Sequence, residues 1–404
     1  MRRVMRRAIG LLVAVATFAG CGGSPILANP PLTFPSPQPT AVTPSRPLDP
    51  IPLAFPRDDG PHDRLTEWWY YTGHLQTQSG RRFGFEAVIF RAERSSVPTG
   101  WASHLALTDE QEGTFHYAQR SEIGPLVDRS RRGDDGNPMG FDLQVAGLSP
   151  ALVAAGAPAS ATPWRLAGSG GLHDIEAALA PEEARPAGAA FGLDLHLRDG
   201  EEPVPHDGDG FVEFGPAGTS YYYSRTRMEA AGTLTLDGET LEVSGIAWFD
   251  HQWGDFVSVG GGWDWFAVNL DPVCGGVPGN PDRCAPPRDL TLSVVRDAAG
   301  AAVLVYGTLF EPGSAPIRLD EDDFQVETLG SWTSTRTGRT WPSGWRLTVG
   351  DDVIELAPTV LDQELDARAT TGVVYWEGSQ VVTATRAGDP IGGEAYVEIT
   401  RYSN

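Results

Sequence analysis

Thr66-Glu67-Trp68-Trp69-Tyr70-Tyr71-Thr72-Gly73 sets an unbroken aromatic run between a β-branched residue and a glycine. An extended chain sends successive side chains to opposite faces, so adjacent bulky rings suit a strand. Glu67, Trp69 and Tyr71 then share one face, and Trp68 and Tyr70 the other. Outward from this stretch, Phe83–Arg91, Ser103–Thr108 and Thr114–Arg120 are β-branched or aromatic runs separated by turn residues. A loop-rich region spans 121–163. Strand-like segments resume at Trp164–Ala167, Asp174–Leu179, Phe191–Leu197 and Ser220–Met228. Asp237-Gly238 between Thr233–Leu236 and Thr240–Val243 predicts a tight hairpin. Trp263–Leu270, Leu290–Asp297, Ala302–Phe310, Trp345–Val349, Val353–Pro358, Gly372–Gly378 and Ala395–Tyr402 continue the pattern. No long amphipathic stretch has helical period. The predicted class is all-β, with two barrel-like halves divided near residue 254.

The N-terminus predicts export. Arg2, Arg3, Arg6 and Arg7 precede an apolar stretch from Ala8 to Ala19, the length of a signal-peptide core and too short to span a bilayer. Phe18-Ala19-Gly20-Cys21 has the form of a lipobox. Residues 1–21 are thus expected to be a lipoprotein signal ending at a lipidated Cys21, with a plain cleaved signal peptide as the alternative. The expected partner is a membrane, reached through this anchor, at the periplasm, outer membrane or cell surface. Gly22 is not the Asp that would argue for inner-membrane retention. Residues 22–56, rich in Pro, Ser and Thr, read as a tether. Residues 57–254 and 255–404 read as two domains. Cys274 and Cys284 share a Gly/Pro-rich loop, and outside the cytosol a disulfide is the natural expectation.

Charge and composition exclude several classes. Without the four arginines at the start, 26 remain against 53 acidic residues, a net charge of −27. Such a surface repels nucleic acid. The chain has no lysine, which removes lysine Schiff-base chemistry and the P-loop. No G-x-S-x-G, H-E-x-x-H or helix-opening G-x-G-x-x-G motif is present. The eight histidines show no metal-ligand spacing, so no metal and no cofactor are expected.

Two aromatic clusters could carry chemistry. Glu67 among the tryptophans is expected to be desolvated and held as a protonated acid, unless backbone or an arginine satisfies it. The second cluster is Trp248-Phe249-Asp250-His251-Gln252-Trp253-Gly254-Asp255, followed by Trp263-Asp264-Trp265. Alternation separates Asp250 from His251 and Trp253, and a bend at Gly254 could bring an acid near them. An Asp/His pair beside an indole suits protonation of an alkene, the ring face stabilising the carbocation. The alternative is that Asp250 and His251 only brace a barrel rim.

These segments resemble the carotenoid 1,2-hydratase (hydroxyneurosporene synthase) and AttH-type secreted-hydrolase family. Thr66–Gly73, Phe83–Glu86, Ser220–Arg225, Gly245–Gly254, Gly262–Phe266, Tyr375–Gly378 and Ala395–Glu398 carry the likeness in order. The resemblance implies two tandem lipocalin-like antiparallel barrels and a pocket for a hydrophobic, often isoprenoid, molecule. It implies acid-catalysed hydration of a terminal double bond without a cofactor. Fungal relatives hydrate a prenylated flavonoid or catalyse cycloadditions, and many bacterial members are called hydrolases. The family's acid/base and aromatic residues map to His251 and Trp253 in the Asp-His-x-Trp motif, and to Asp264. Candidate catalytic residues are therefore His251, Asp250, Asp264 and Glu67. Candidate substrate-binding residues are Trp68, Trp69, Tyr71, Tyr222, Trp253, Trp263, Trp265 and Trp376. A lipoprotein signal places the chain outside the cytoplasm, while carotenoid synthesis occurs at the inner membrane, so the exact substrate does not transfer. Hydratase, non-catalytic carrier and secreted hydrolase remain the readings. An acid or histidine converging on an apolar pocket would favour an enzyme, and its lack a carrier.

Overall fold

The computed structural model describes residues 49–401 except 95–96, 148–161, 180, 182, 187–188, 215–216, 257–260, 275–283 and 387. The expected signal segment, Cys21 and most of the tether lie outside the described residues. Among the described residues the only helix is a 3-10 turn, Arg57–Asp59, and no helix is long and apolar enough to cross a membrane.

Twelve strands form the first sheet: β1 (Thr66–Thr77), β2 (Arg82–Arg94), β3 (Val97–Asp109), β4 (Thr114–Ile123), β5 (Phe141–Val145), β6 (Trp164–Ser169), β7 (Leu172–Ala178), β8 (Phe191–Arg198), β9 (Val204–Pro205), β10 (Phe211–Glu213), β11 (Gly218–Leu236) and β12 (Glu239–Phe256). Its order is β4-β3-β2-β1-β12-β11-β8-β7-β6-β5, all antiparallel, with β9 and β10 added beside β11. Bridges Tyr117–Arg185 and Asp128–Leu143 draw its two ends together. The sheet thereby rolls around one core that includes Trp69, Tyr71, Phe85, Phe141, Leu195 and Phe249.

The second half contains β13 (Gly262–Leu270), β14 (Val273–Cys274), β15 (Cys284–Ala285), β16 (Arg288–Arg296), β17 (Ala302–Phe310), β18 (Ile317–Leu319), β19 (Phe324–Thr333), β20 (Thr340–Val349), β21 (Asp352–Pro358), β22 (Glu364–Ala367), β23 (Val373–Arg386), β24 (Asp389–Ile391) and β25 (Gly393–Arg401). Its main sheet runs β18-β17-β16-β13-β25-β23-β21-β20-β19, with β22 and β24 beside β23. Phe266, Leu292, Trp345, Leu347, Trp376 and Val397 fill it. The fold is all-β, with two tandem lipocalin-like barrels. β14 and β15 make a separate ribbon in which Cys274 and Cys284 are Cα partners, and Cys284 is disulfide-bonded.

The barrels meet on the outer faces of β1, β2 and β12 and of β13, β23 and β25. Tyr70, Val88 and Trp248 pack there against Trp265, Ala267 and Tyr396. This explains the aromatic run in β1: a strand covered on both faces reads as a continuous apolar stretch rather than an alternating one. The expected separation of faces is present, since Trp69 and Tyr71 enter the first core while Trp68 and Tyr70 join the seam.

Some segments differ from expectation. Ser220–Met228 and Thr233–Leu236 are one continuous strand, β11, with a register shift between Arg225 and Met228. Asp237 and Gly238 both take positive φ at the hairpin, as a tight turn requires. β5 lies inside the expected loop region, and its brevity hid it. β19 is mostly exposed and lacks an apolar pattern. No bend breaks β12 at Gly254, because that glycine permits close strand approach. A Cβ there would sit 2.1 Å from the Thr219 carbonyl oxygen.

Candidate functional site

A cavity of about 360 Å³ opens between the two barrels, not inside either one. The outer face of the first sheet contributes Trp68, Phe90, Tyr222 and Asp250. The second contributes Trp263, Trp265, Tyr306 and Glu398. Glu86 and His104 also line it. The period of two selects this set: residues 68 and 70 of β1, 250 and 252 of β12, and 263 and 265 of β13 each share a face. Trp68 meets Phe90 and Phe256 edge-on, at centroid distances of 6.4 and 5.4 Å.

Acidic side chains punctuate this apolar wall. Glu398 Oε1 accepts hydrogen bonds from Trp263 Nε1 (2.9 Å) and Thr400 Oγ1 (2.6 Å), and both fall on the same oxygen. Burial, with the Asp250 charge adding to it, pushes the Glu398 carboxyl up to about 7 against the two bonds that lower it. Asp250 accepts from Tyr222 Oη (2.6 Å), Trp248 Nε1 (2.7 Å) and Ser224 Oγ, and burial still lifts it to about 6. Glu86 Oε1 accepts from Tyr375 Oη at 2.8 Å, while Oε2 has no partner among the described residues. Burial raises this carboxyl to about 8. Behind them, Glu377 accepts from Tyr70 Oη at 2.6 Å and is raised by burial and by Glu398 and Glu86. His104 bonds Tyr375 Oη at 2.6 Å, and burial depresses it to about 3, so it is neutral.

The opposite face of β1 and β12 carries a different cluster inside the first barrel. His251 is fully buried. Its Nε2 lies 3.1 Å from Glu67 Oε1, and its Nδ1 donates to the Asp58 carbonyl oxygen at 3.0 Å. His62 Nδ1 is 2.8 Å from the same Glu67 oxygen, and its ring stacks on Trp253 at 4.0 Å. Among the described residues, the donor atoms of His62, Glu67 and His251 lie close enough together to hold a metal ion.

Several sequence expectations are corrected here. Glu67 is not a protonated acid: burial pushes its carboxyl up, but hydrogen bonds from His251 and His62 overcome this and leave it lowered. Asp250 and His251 do not pair, because adjacent strand residues point to opposite faces. Asp264 faces the second barrel, ion-paired to Arg296 (2.6 Å) and to Arg401. Of the expected catalytic residues only Asp250 lines the cavity. Trp68, Tyr222, Trp263 and Trp265 also line it. Trp69 and Tyr71 belong to the first core, Trp253 stacks on His62 inside that barrel, and Trp376 fills the second core. Glu86, His104 and Glu398 were missed as site residues. The available signal was an acid embedded in an otherwise apolar strand, as in Phe83-Gly84-Phe85-Glu86 and Tyr396-Val397-Glu398.

The raised carboxyls fix a pH dependence of stability. A carboxyl whose folded value is above its unfolded one stabilises fully below the unfolded value, and this is lost as pH rises through the folded value. For Glu398 and Glu86 the window runs from about 4.5 to about 8. Below about 6.5 the buried neutral His104 and His206 gain stability as pH rises and oppose this, so the urea midpoint should fall as pH is raised from about 6.5 to about 8. A midpoint that rises instead would show that these carboxyls ionise freely in the fold.

The AttH-like family model matches residues 46–402. An AttH protein from Nitrosomonas europaea is 27% identical, with 88% of this chain and 98% of that one covered and a TM-score of 0.68. Kievitone hydratase from Nectria haematococca is 16% identical, with 87% and 94% covered and a TM-score of 0.60, a likeness of fold. None of the curated protein sequences matches this chain. With the family pattern running through both barrels and the cavity between them, the chain belongs to the AttH-like family.

Proposed function

We propose that this protein is a cofactor-independent hydro-lyase that adds water to a carbon–carbon double bond of an apolar, isoprenoid-like small molecule. The observation that carries the reading is Glu398, a carboxyl held near neutrality on the wall of an aromatic cavity. Protonated Glu398 gives its proton to the terminal alkene carbon. The π bond breaks, a C–H bond forms, and the cation on the neighbouring carbon faces the indoles of Trp68, Trp263 and Trp265. Water forms the new C–O bond, and its released proton restores Glu398. Asp250, fixed by Tyr222, Ser224 and Trp248, supplies negative charge on the facing wall. The fold shared with kievitone hydratase supports hydration, and the resemblance to carotenoid 1,2-hydratases supports an isoprenoid double bond. A carrier would have no use for several buried acids converging on its ligand. In the same reading the enzyme works at a membrane surface, anchored through a lipid on Cys21.

The test is direct. The protein is incubated in oxygen-18 water with acyclic isoprenoids and prenylated aromatics that bear terminal double bonds. The expected product has gained one labelled water, detected by mass spectrometry. Tight binding with no label in any compound would favour a carrier.

A further inference from the structure

We infer that His62, Glu67 and His251 form a binding site for one divalent transition-metal ion of the zinc class, inside the mouth of the first barrel. This site is distinct from the cavity between the barrels and lies on the reverse face of β1 and β12.

The argument begins with hydrogen-bond donors and acceptors. The Asp58 carbonyl oxygen can only accept, so His251 Nδ1 carries a proton, and a neutral ring then presents the Nε2 lone pair. That lone pair faces Glu67 Oε1, itself an acceptor, at 3.1 Å. His62 is placed alike: Nε2 is 3.3 Å from the Asp58 carboxylate and Nδ1 is 2.8 Å from the same Glu67 oxygen. With protons alone, one proton must sit between His251 Nε2 and Glu67 Oε1 and a second between His62 Nδ1 and the same oxygen. One divalent cation replaces the two protons that face Glu67 and leaves the net charge of the group unchanged.

The geometry fits the exchange. The three donor atoms lie within 4.8 Å of one another. A tetrahedral ion with ligands at about 2.0–2.2 Å holds them about 3.3–3.6 Å apart, so small side-chain rotations suffice. Asp58 supplies the outer shell for both histidines, its carbonyl oxygen to His251 and its carboxylate to His62. Metal-binding imidazoles are usually oriented by such contacts. Trp253 stacks on His62 and Trp69 on His251 at 4.7 Å, which fixes both rings. The His62 side chain is 18% exposed, which gives an ion a route in and a fourth position for water. Arg91 lies 3.9 Å from Glu67 Oε2, and Glu93 offsets its charge at 3.3 Å. Two imidazoles and one carboxylate suit zinc, cobalt or ferrous ion rather than magnesium or calcium, which prefer all-oxygen sets. The ion would clip the segment around Arg57–Asp59 to β1 and β12.

The experiment uses the full chain without an affinity tag, stripped with chelator and titrated with zinc by calorimetry and with cobalt by visible absorption. One equivalent per chain is expected, with the intense visible bands of tetrahedral cobalt and a higher melting temperature on zinc addition. His62→Ala, on the partly exposed segment, should lose binding while keeping the far-ultraviolet dichroism of the parent. Asp58→Asn should weaken it about 10–100-fold. Absence of stoichiometric uptake, or uptake that His62→Ala and Glu67→Gln leave intact, would overturn the assignment.

Discussion

Glu398→Gln is expected to lower turnover by about 10²–10⁴-fold, the usual contribution of a positioned general acid, while substrate still binds. Glutamine is nearly isosteric, and its carbonyl oxygen can still accept from Trp263 Nε1 and Thr400 Oγ1. Only the acidic proton is lost. The measurement is single-turnover incorporation of oxygen-18, with binding followed by quenching of the tryptophans that line the cavity. In the parent protein, kcat/KM should fall about tenfold per pH unit above about 7, as Glu398 ionises. Burial sets this value, and the Asp250 charge from β12 adds to it by disfavouring a further negative charge. The variant should lose that limb of the profile together with the rate. An unchanged rate in Glu398→Gln would remove Glu398 as the acid.

Arg225→Met is expected to destabilise the protein by about 3–5 kcal/mol, the range for removing one partner of a buried charge pair. Arg225 is almost fully buried. It pairs with Asp59 at 3.3 Å and with Asp199 at 3.0 Å, and both carboxylates are also out of solvent. Asp59 further accepts from Tyr223 Oη at 2.8 Å and from the Gly170 amide at 2.9 Å. Its carbonyl oxygen accepts from Trp69 Nε1 at 3.0 Å. The pair thus ties the segment before β1 to β1, β11 and the β6–β7 turn. Methionine fills similar volume but leaves two carboxylates uncompensated. Urea unfolding measures the loss, and the Asp59→Asn/Arg225→Met double variant should recover part of it. A loss below about 1 kcal/mol would mean that water already screens the pair.

Arg225, Asp59 and Asp199 carry no mark in the sequence that pairs them. Arg225 ends the Ser220–Arg225 run, yet its partners Asp199 and Asp59 lie 26 and 166 residues away. The same holds for the cavity. Tyr70 could be assigned a face, but not the Glu377 carboxylate it meets there. Glu86 and Glu398 close the Phe83–Glu86 and Ala395–Glu398 stretches, yet an acid inside an apolar strand can face a solvated edge or a closed seam. Packing of β23 and β25 on β1 and β2 makes the difference. His251 of the Asp-His-x-Trp motif faces the barrel interior, which the motif alone does not specify.

The sequence by itself determined the all-β class, nearly every long strand, the Asp237-Gly238 hairpin and the division of side chains between faces. These follow from local rules: the period of two, β-branched and aromatic enrichment, and residues able to adopt positive φ. Only the tertiary structure decided which face borders a cavity and which is core, and which carboxyls stay protonated. Those properties depend on desolvation and on charges brought together by the docking of two sheets, and neither is encoded in the spacing of residues along one strand.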